Sequence, residues 1–174
     1  QTGAVQVHSI DELADILMTF LHLKPPIGNS AVILGGGGGG SVASGDTCGE
    51  EGVATPLLGE ESKSRLLQFV SLVNQGLANP MDIPFILREP DRLRRTLEIV
   101  AVDDAIDFLI VNQGWDILRD TEENRRWVNT ICDFVRENPD GKPLAVTLRG
   151  PTVVHELPAA VGPLAELLID TGVP

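Results

Sequence analysis

Ser30-Ala31-Val32-Ile33-Leu34-Gly35-Gly36-Gly37-Gly38-Gly39-Gly40-Ser41-Val42-Ala43-Ser44 reads as a strand, a loop and the start of a helix. Residues 31–34 are an apolar run, three of them good strand formers. They stop at an unbroken glycine run, and small residues follow. Glycine lacks Cβ, so such a loop takes φ > 0 and lets a ligand approach the backbone closely. The first turn of the helix then offers unpaired N–H groups, with the positive end of the helix dipole behind them. The ligand this predicts is a phosphate or another anion. A glycine homopolymer satisfies G-x-G-x-x-G trivially. The phosphate-loop pattern ending in Gly-Lys-Ser/Thr is absent, because Gly40 is followed by Ser41-Val42. The dinucleotide pattern asks for an acid about 20 residues on, and Glu60 or Glu61 stands near that distance. The competing reading is a flexible glycine linker, although a linker seldom joins a buried strand to a helix.

The chain has 174 residues, room for one sizeable core. Aromatic residues make up only 4% and tyrosine is absent, so the core is built from Leu, Ile, Val and Ala, as in a parallel sheet covered by helices. The net charge of −12 argues against a nucleic-acid partner, which needs a basic face. An anion site in such a chain depends on backbone N–H groups more than on lysines. Cys48 and Cys132 have no metal-ligand spacing, so no metal site is expected. Nothing calls for a disulfide, which makes a reducing cytoplasm the default. No signal peptide is visible, and no apolar run reaches membrane-spanning length. The chain begins at Gln1 without a methionine and ends at Thr171-Gly172-Val173-Pro174, which looks like the start of a further strand. An excised domain is the expectation, with residues 1–29 as a lead-in strand and helix and residues 30–174 as the α/β domain.

Residues 4–7 read as a short strand. Ser9 then caps a helix, with Glu12 completing a capping box. Ile10, Leu13, Ile16, Leu17, Phe20 and Leu21 recur at helical spacing, and the helix stops before Pro25-Pro26. Further helices are expected over residues 41–51, 60–73, 90–102, 121–137 and 152–170. Pro90 sits at a first turn, Thr121 serves as a cap, and Pro158 and Pro163 interrupt the last helix. Strands are expected at 53–55, 77–83, 106–111 and 142–148, with Pro80 at a strand end. Strands alternating with helices predict a parallel α/β sheet with right-handed crossovers.

Ligands in such sheets gather at the carboxyl ends of the strands. Here those ends are residues 35–41, Asn79 to Asp82, Asn112 to Gly114, and Arg149-Gly150-Pro151-Thr152. Asn79, Asp82, Asn112, Gly114 and Arg149 are therefore possible rim contacts. Arg149 suits an anion, or else forms a surface salt bridge. Asp82 orients a partner or a water, or else bonds local turn N–H groups. Ser41 either donates to a bound phosphate or caps the helix. Asp46 lies near the start of a helix and reads as structural. His8, His22 and His155 miss the predicted strand ends and read as surface or capping residues. Cys48 reads as a small packed residue, with no histidine near it in sequence.

Residues 30–52, with Asp46 and Gly52, resemble the strand, glycine turn and small-residue helix of the NDP-forming acyl-CoA synthetases, which include ADP-forming acetyl-CoA synthetase and succinyl-CoA synthetase. Asn79-Pro80-Met81-Asp82-Ile83 is similar to that family's Asn-Pro-Val-Asp element. Residues 9–13 resemble the helix that precedes the domain, and residues 167–174 its closing segment. The resemblance covers nearly the whole chain. It implies a three-layer flavodoxin-like (Rossmann-like) α/β fold, a parallel sheet with helices on both faces, corresponding to the second flavodoxin-like domain of such a ligase.

The family converts acyl-CoA, nucleoside diphosphate and phosphate to acid, CoA and nucleoside triphosphate through an acyl phosphate and a phosphohistidine. By the resemblance, this domain helps hold that phosphoryl group at the Gly38, Gly39, Gly40 and Ser41 turn and at the N–H groups that open the helix, Val42 included. The family's phosphohistidine segment, of Ser-His-Thr-Gly type, does not occur in this sequence. No catalytic residue is therefore assigned to this fragment, and the isolated chain is expected to be inactive. Its implied partners are a CoA-binding and phosphohistidine domain and an ATP-grasp domain, on the same chain or on another subunit. No cofactor is expected to bind tightly here; CoA, ADP/ATP and Mg2+ act through those other domains. Two other readings remain. One is a non-catalytic docking or scaffold module of the same fold. The other is a flavin- or nucleotide-binding protein, against which the scarcity of aromatic residues counts.

Overall fold

The apolar run before the glycines is the buried centre of the sheet. In the computed structural model, which describes residues 5–71, 76–83, 88–149 and 162–174, β1 (Ala31–Gly35) is buried along its whole length. It pairs in parallel with β2 (Phe108–Gly114), and β2 pairs in parallel with β3 (Leu144–Arg149), giving the order β1-β2-β3. The helices are α1 (Ile10–His22), α2 (Gly37–Glu50), α3 (Glu60–Leu66), α4 (Pro90–Ala101), α5 (Glu122–Glu137) and α6 (Gly162–Asp170). A 3-10 turn, Trp115–Leu118, follows β2.

Side chains alternate across a strand, so the register fixes the layers. Val32, Leu34, Leu109, Val111 and Leu144 share one face. They form the core with Leu93, Leu97 and Val100 of α4, Trp127, Val128 and Ile131 of α5, and Leu164 and Leu168 of α6. Ile33, Ile110 and Thr147 share the other face, where α2 lies beside them. The molecule is thus an α/β protein with helices on both faces of a parallel sheet, consistent with a flavodoxin-like arrangement. The carbonyl of Pro174 accepts from the Val146 N–H at 3.0 Å, so residues 173–174 lie beside β3.

The other edge of β1 departs from expectation. The anticipated strands at 53–55 and 77–83 reduce to two parallel bridges, Ser30 with Ala54 and Leu34 with Met81. Pro56 and Pro80 follow and precede those bridges, and proline has no N–H to give a ladder. The side chain of Asn79 fills the gap between them. Its Oδ1 accepts from Ile33 N–H at 3.0 Å, and its Nδ2 donates to the carbonyls of Ala31 at 2.7 Å and Pro56 at 2.9 Å. One buried amide thus does the work of a missing strand residue.

The caps read from sequence are present. Ser9 Oγ accepts from Glu12 N–H at 3.0 Å, and Thr121 Oγ1 accepts from Asn124 N–H at 3.2 Å. Glu12 reaches back to His8 N–H rather than to the cap residue itself. Thr121→Ala is expected to cost about 1 kcal/mol, read as a lower denaturation midpoint. Three other expectations are corrected. Residues 5–7 form no strand. Helix α2 begins at Gly37 rather than at Ser41, because four glycines of the run, Gly37 to Gly40, join the helix. The helix expected over 60–73 stops at Leu66, and residues 67–71 leave it as turn and irregular chain. Residues 72–73 and 152–161 of the expected helices lie outside the described residues. The amphipathic α1 has no buried residue.

Asp103 ties the loop before β2 to the start of α3. Its carboxylate is buried and accepts from Gly59 N–H at 2.8 Å and Ala105 N–H at 3.0 Å. Desolvation raises its pKa, but hydrogen bonds from Ser62, Ala105 and Gly59 and the charge of Lys142 outweigh this and hold it below the ordinary carboxylate range. The folded chain therefore binds this proton less readily than the unfolded chain. The stabilisation is present above the ordinary aspartate pKa of about 4 and is lost as pH falls through the lowered folded value. Urea midpoints are expected to fall below about pH 4, and Asp103→Asn should flatten that fall.

Candidate anion-binding site

The glycines earn their place unevenly along the run. Gly35, Gly36 and Gly37 have φ of 90°, 101° and 64°, a left-handed path that side chains resist. At Gly36, the cap of α2, an added Cβ would also stand 3.1 Å from Ser41 N. Gly40 has ordinary helical φ, but the guanidinium of Arg149 lies where its Cβ would be. Gly38 and Gly39 have room for a side chain; the nearest atom to a Cβ on Gly38 is Asp82 Oδ2, at 3.6 Å. Gly39→Ala is therefore expected to stabilise the fold by about 0.5–1 kcal/mol, seen as a higher melting temperature.

This path delivers the start of α2 to a cavity of about 260 Å³ at the carboxyl ends of β1, β2 and β3. Gly35, Gly36 and Gly37 line it together with Arg88, Asn112, Gly114 and Arg149. The first N–H groups of an α-helix have no acceptor within the helix, so they are open to a ligand. Two arginines and a helix N-terminus bring positive charge to the site, and the carboxylates of Asp116 and Glu123 line the same cavity.

Asn112 is 3% exposed and joins the sheet to α2, with Nδ2 donating to Ser44 Oγ at 2.7 Å. Its Oδ1 is buried without a partner. With the amide turned over, Ser44 donates to Oδ1 and the N–H2 takes the buried position that now lacks a partner.

The residues expected to bind an anion fall into separate groups. Gly114, Asn112 and Arg149 converge on this cavity, and Arg88, just before α4, is an addition that the sequence reading missed. Gly38, Gly39, Gly40, Ser41 and Val42 lie within the first turns of α2, and the cavity wall is made by the glycines before them. The hydroxyl of Ser41 is buried and donates to the carbonyl of Gly35 at 2.8 Å, closing the turn, while Val42 points to solvent. Asn79 is committed to the edge of β1 and does not line the cavity. Asp82 lies beside Gly38, with Oδ1 buried and without a hydrogen-bond partner. Burial pushes the Cys48 thiol up, which suits a packed residue and not an activated nucleophile. His155 and residues 150–152 of the expected rim lie outside the described residues. Among the described residues no group of three His, Cys, Asp or Glu side chains is gathered to hold a metal, and no helix is long and apolar enough to cross a membrane.

No protein-family model and no curated protein matches the chain. Solved structures do. PH0766 from Pyrococcus horikoshii OT3 superposes with a TM-score of 0.74 at 21% identity, over 97% of this chain and 36% of its own. The "dinucleotide forming" acetyl-coenzyme A synthetase 1 of Ca. Korarchaeum cryptofilum matches in its apo form with a TM-score of 0.77 at 21% identity, over 98% of this chain and 35% of its own. The same enzyme in complex with phosphate and ADP gives 0.76 at 21% identity, over 98% and 34%. This chain thus spans about a third of the length of these neighbours. At this identity the likeness is one of fold, shared with a portion of these longer proteins, an acetyl-CoA synthetase among them.

Proposed function

We propose that this chain is a domain of an NDP-forming acid–CoA ligase, and that its left-handed glycine turn and the N-terminus of α2 hold a phosphoryl group in transit. The observation that carries this is Arg149 lying against Gly40 on the first turn of α2, at the rim where Arg88 and Asn112 also meet. Oriented N–H groups and guanidinium groups stabilise phosphoryl charge where it develops, without reorganising at the moment of transfer. The acetyl-CoA synthetase neighbours, one of them a complex with phosphate and ADP, support the same reaction class. The domain supplies no phosphohistidine of its own; that group comes from a partner flavodoxin-like domain. CoA and nucleotide are handled by CoA-binding and ATP-grasp domains, with Mg2+ accompanying the nucleotide.

The test uses the full-length protein that contains this chain. Given acyl-CoA, ADP or GDP, phosphate and Mg2+, it should form the nucleoside triphosphate, and Gly36→Val should abolish turnover while acyl-CoA binding persists. Full turnover by a folded Gly36→Val protein contradicts the assignment.

A further inference from the structure

The strand faces are covered unequally. On the core side Leu109, Val111 and Leu144 are buried, whereas on the α2 side Phe108, Ile110 and Ala145 are only half-buried and Thr147 is exposed. Beside α2 this leaves a groove of about 380 Å³, lined by Ile33, Ile110 and Thr147 of the sheet and by Ala43, Thr47 and Cys48 of the helix. Parallel strands are normally covered on both faces. The same chain carries a helix with nothing to cover: Ile10, Leu13, Leu17, Phe20 and Leu21 of α1 are 84%, 42%, 50%, 71% and 74% exposed and form one stripe.

We propose that α1 is the cover of this groove, closing over the β2–β3 face beside α2 of its own chain. The tether favours it. The carbonyl of His22, at the end of α1, lies 3.2 Å from where a Cβ on Gly172 would stand, and Lys24 Nζ donates to the carbonyl of Pro139 at 3.4 Å. Those contacts hold the carboxyl end of α1 near the amino-terminal end of β3. A helix pivoting there lies antiparallel to the strands, the direction of a helix that precedes a parallel strand. Its thirteen residues span about 20 Å, and the seven of β2 span about 23 Å. The charged residue lining the groove is Arg149, and the ionised side chains of α1 are the acids Asp11, Glu12 and Asp15, so closure brings no like charges together. A second copy offers the same helix, but the tethered one reaches the groove at a far higher effective concentration.

Native Cys48 lines the groove and Cys132 is fully buried, so a single substitution provides the probe. Leu17→Cys, in the centre of the stripe, should be joined to Cys48 by a short bismaleimide as a species of monomer mass. The yield should be at least tenfold that of Asp15→Cys on the opposite face of α1, and Cys48→Ser should remove it. Hydrogen exchange of α1 should also be slowed in the wild type and accelerated by Leu17→Asp; α1 contributes nothing to the core, so that variant keeps its fold. Equal yields from Leu17→Cys and Asp15→Cys, a product found only as dimers, or α1 amides that exchange as fast in the wild type as in Leu17→Asp would overturn the proposal.

Discussion

Arg149→Ala, introduced into the full-length protein that contains this chain, is expected to weaken phosphate binding by roughly 10- to 100-fold. That loss matches the value of about 1.5–3 kcal/mol for a hydrogen bond to a charged partner. Stability should change little, because Arg149 is exposed at the end of β3. Gly40→Ala should produce a similar loss by a different route. Its Cβ takes the space of the guanidinium and turns Arg149 away from α2, while alanine itself suits a helix. Since both changes remove one interaction, the double variant should be no weaker than either single one. Gly39→Ala, one residue earlier and facing open space, is the matched control and should bind phosphate like the wild type. Calorimetric titration with phosphate reads all four proteins. Additive losses would show that Gly40 and Arg149 act separately.

The second large effect is on folding. Asn79→Ala removes three hydrogen bonds and leaves Ile33 N–H and the Ala31 carbonyl without partners inside the sheet. At about 1–3 kcal/mol for each buried unsatisfied group, the loss is on the order of 2–4 kcal/mol, a large share of the roughly 5–15 kcal/mol typical of a domain. Asn79→Asp keeps the acceptor for Ile33 N–H but faces two carbonyls with a carboxylate. Its folded pKa should therefore lie above the unfolded value. The destabilisation is then present at neutral pH and relieved as pH falls through that raised value, because the protonated acid can donate. Urea denaturation at two pH values checks both statements. An Asn79→Ala protein within 0.5 kcal/mol of wild type, about the range of ordinary surface substitutions, would mean that the edge of β1 is satisfied in some other way.

The role of Asn79 marks where sequence reading stops. Its place beside Pro80, at the end of an expected strand, suggests a rim residue. Only the three-dimensional path shows its amide turned back to mend a broken strand edge. Other features were legible because a strong local signal agreed with the tertiary outcome. Thr121 opens α5, and the stripe of Trp127, Val128, Ile131 and Phe134 is buried as its spacing implies. The run 31–34 is the central strand because no polar residue interrupts it. The start of α2 could not be placed, since six glycines carry no periodicity and the deciding terms, three left-handed φ angles and the hydroxyl bond from Ser41, are set by the turn as a whole. Arg88 was missed because it lies in a connection between elements, where side-chain direction has no sequence signature. The stripe on α1 was read correctly as amphipathic but not as uncovered, because periodicity reports a face and not its partner.

The glycine turn at the end of β1 is proposed as an anion cradle, and amide NMR of this chain during titration with inorganic phosphate, with CoA and ADP run in parallel, reads that role at the residues concerned. Saturable shifts are expected for phosphate alone, centred on Gly35 to Gly39, with the side-chain resonances of Asn112 and Arg149 moving at the same midpoint and Arg149→Ala weakening the response. Amides of Gly35 to Gly39 that stay unmoved while phosphate reaches tens of millimolar, or that respond to chloride equally, would contradict it.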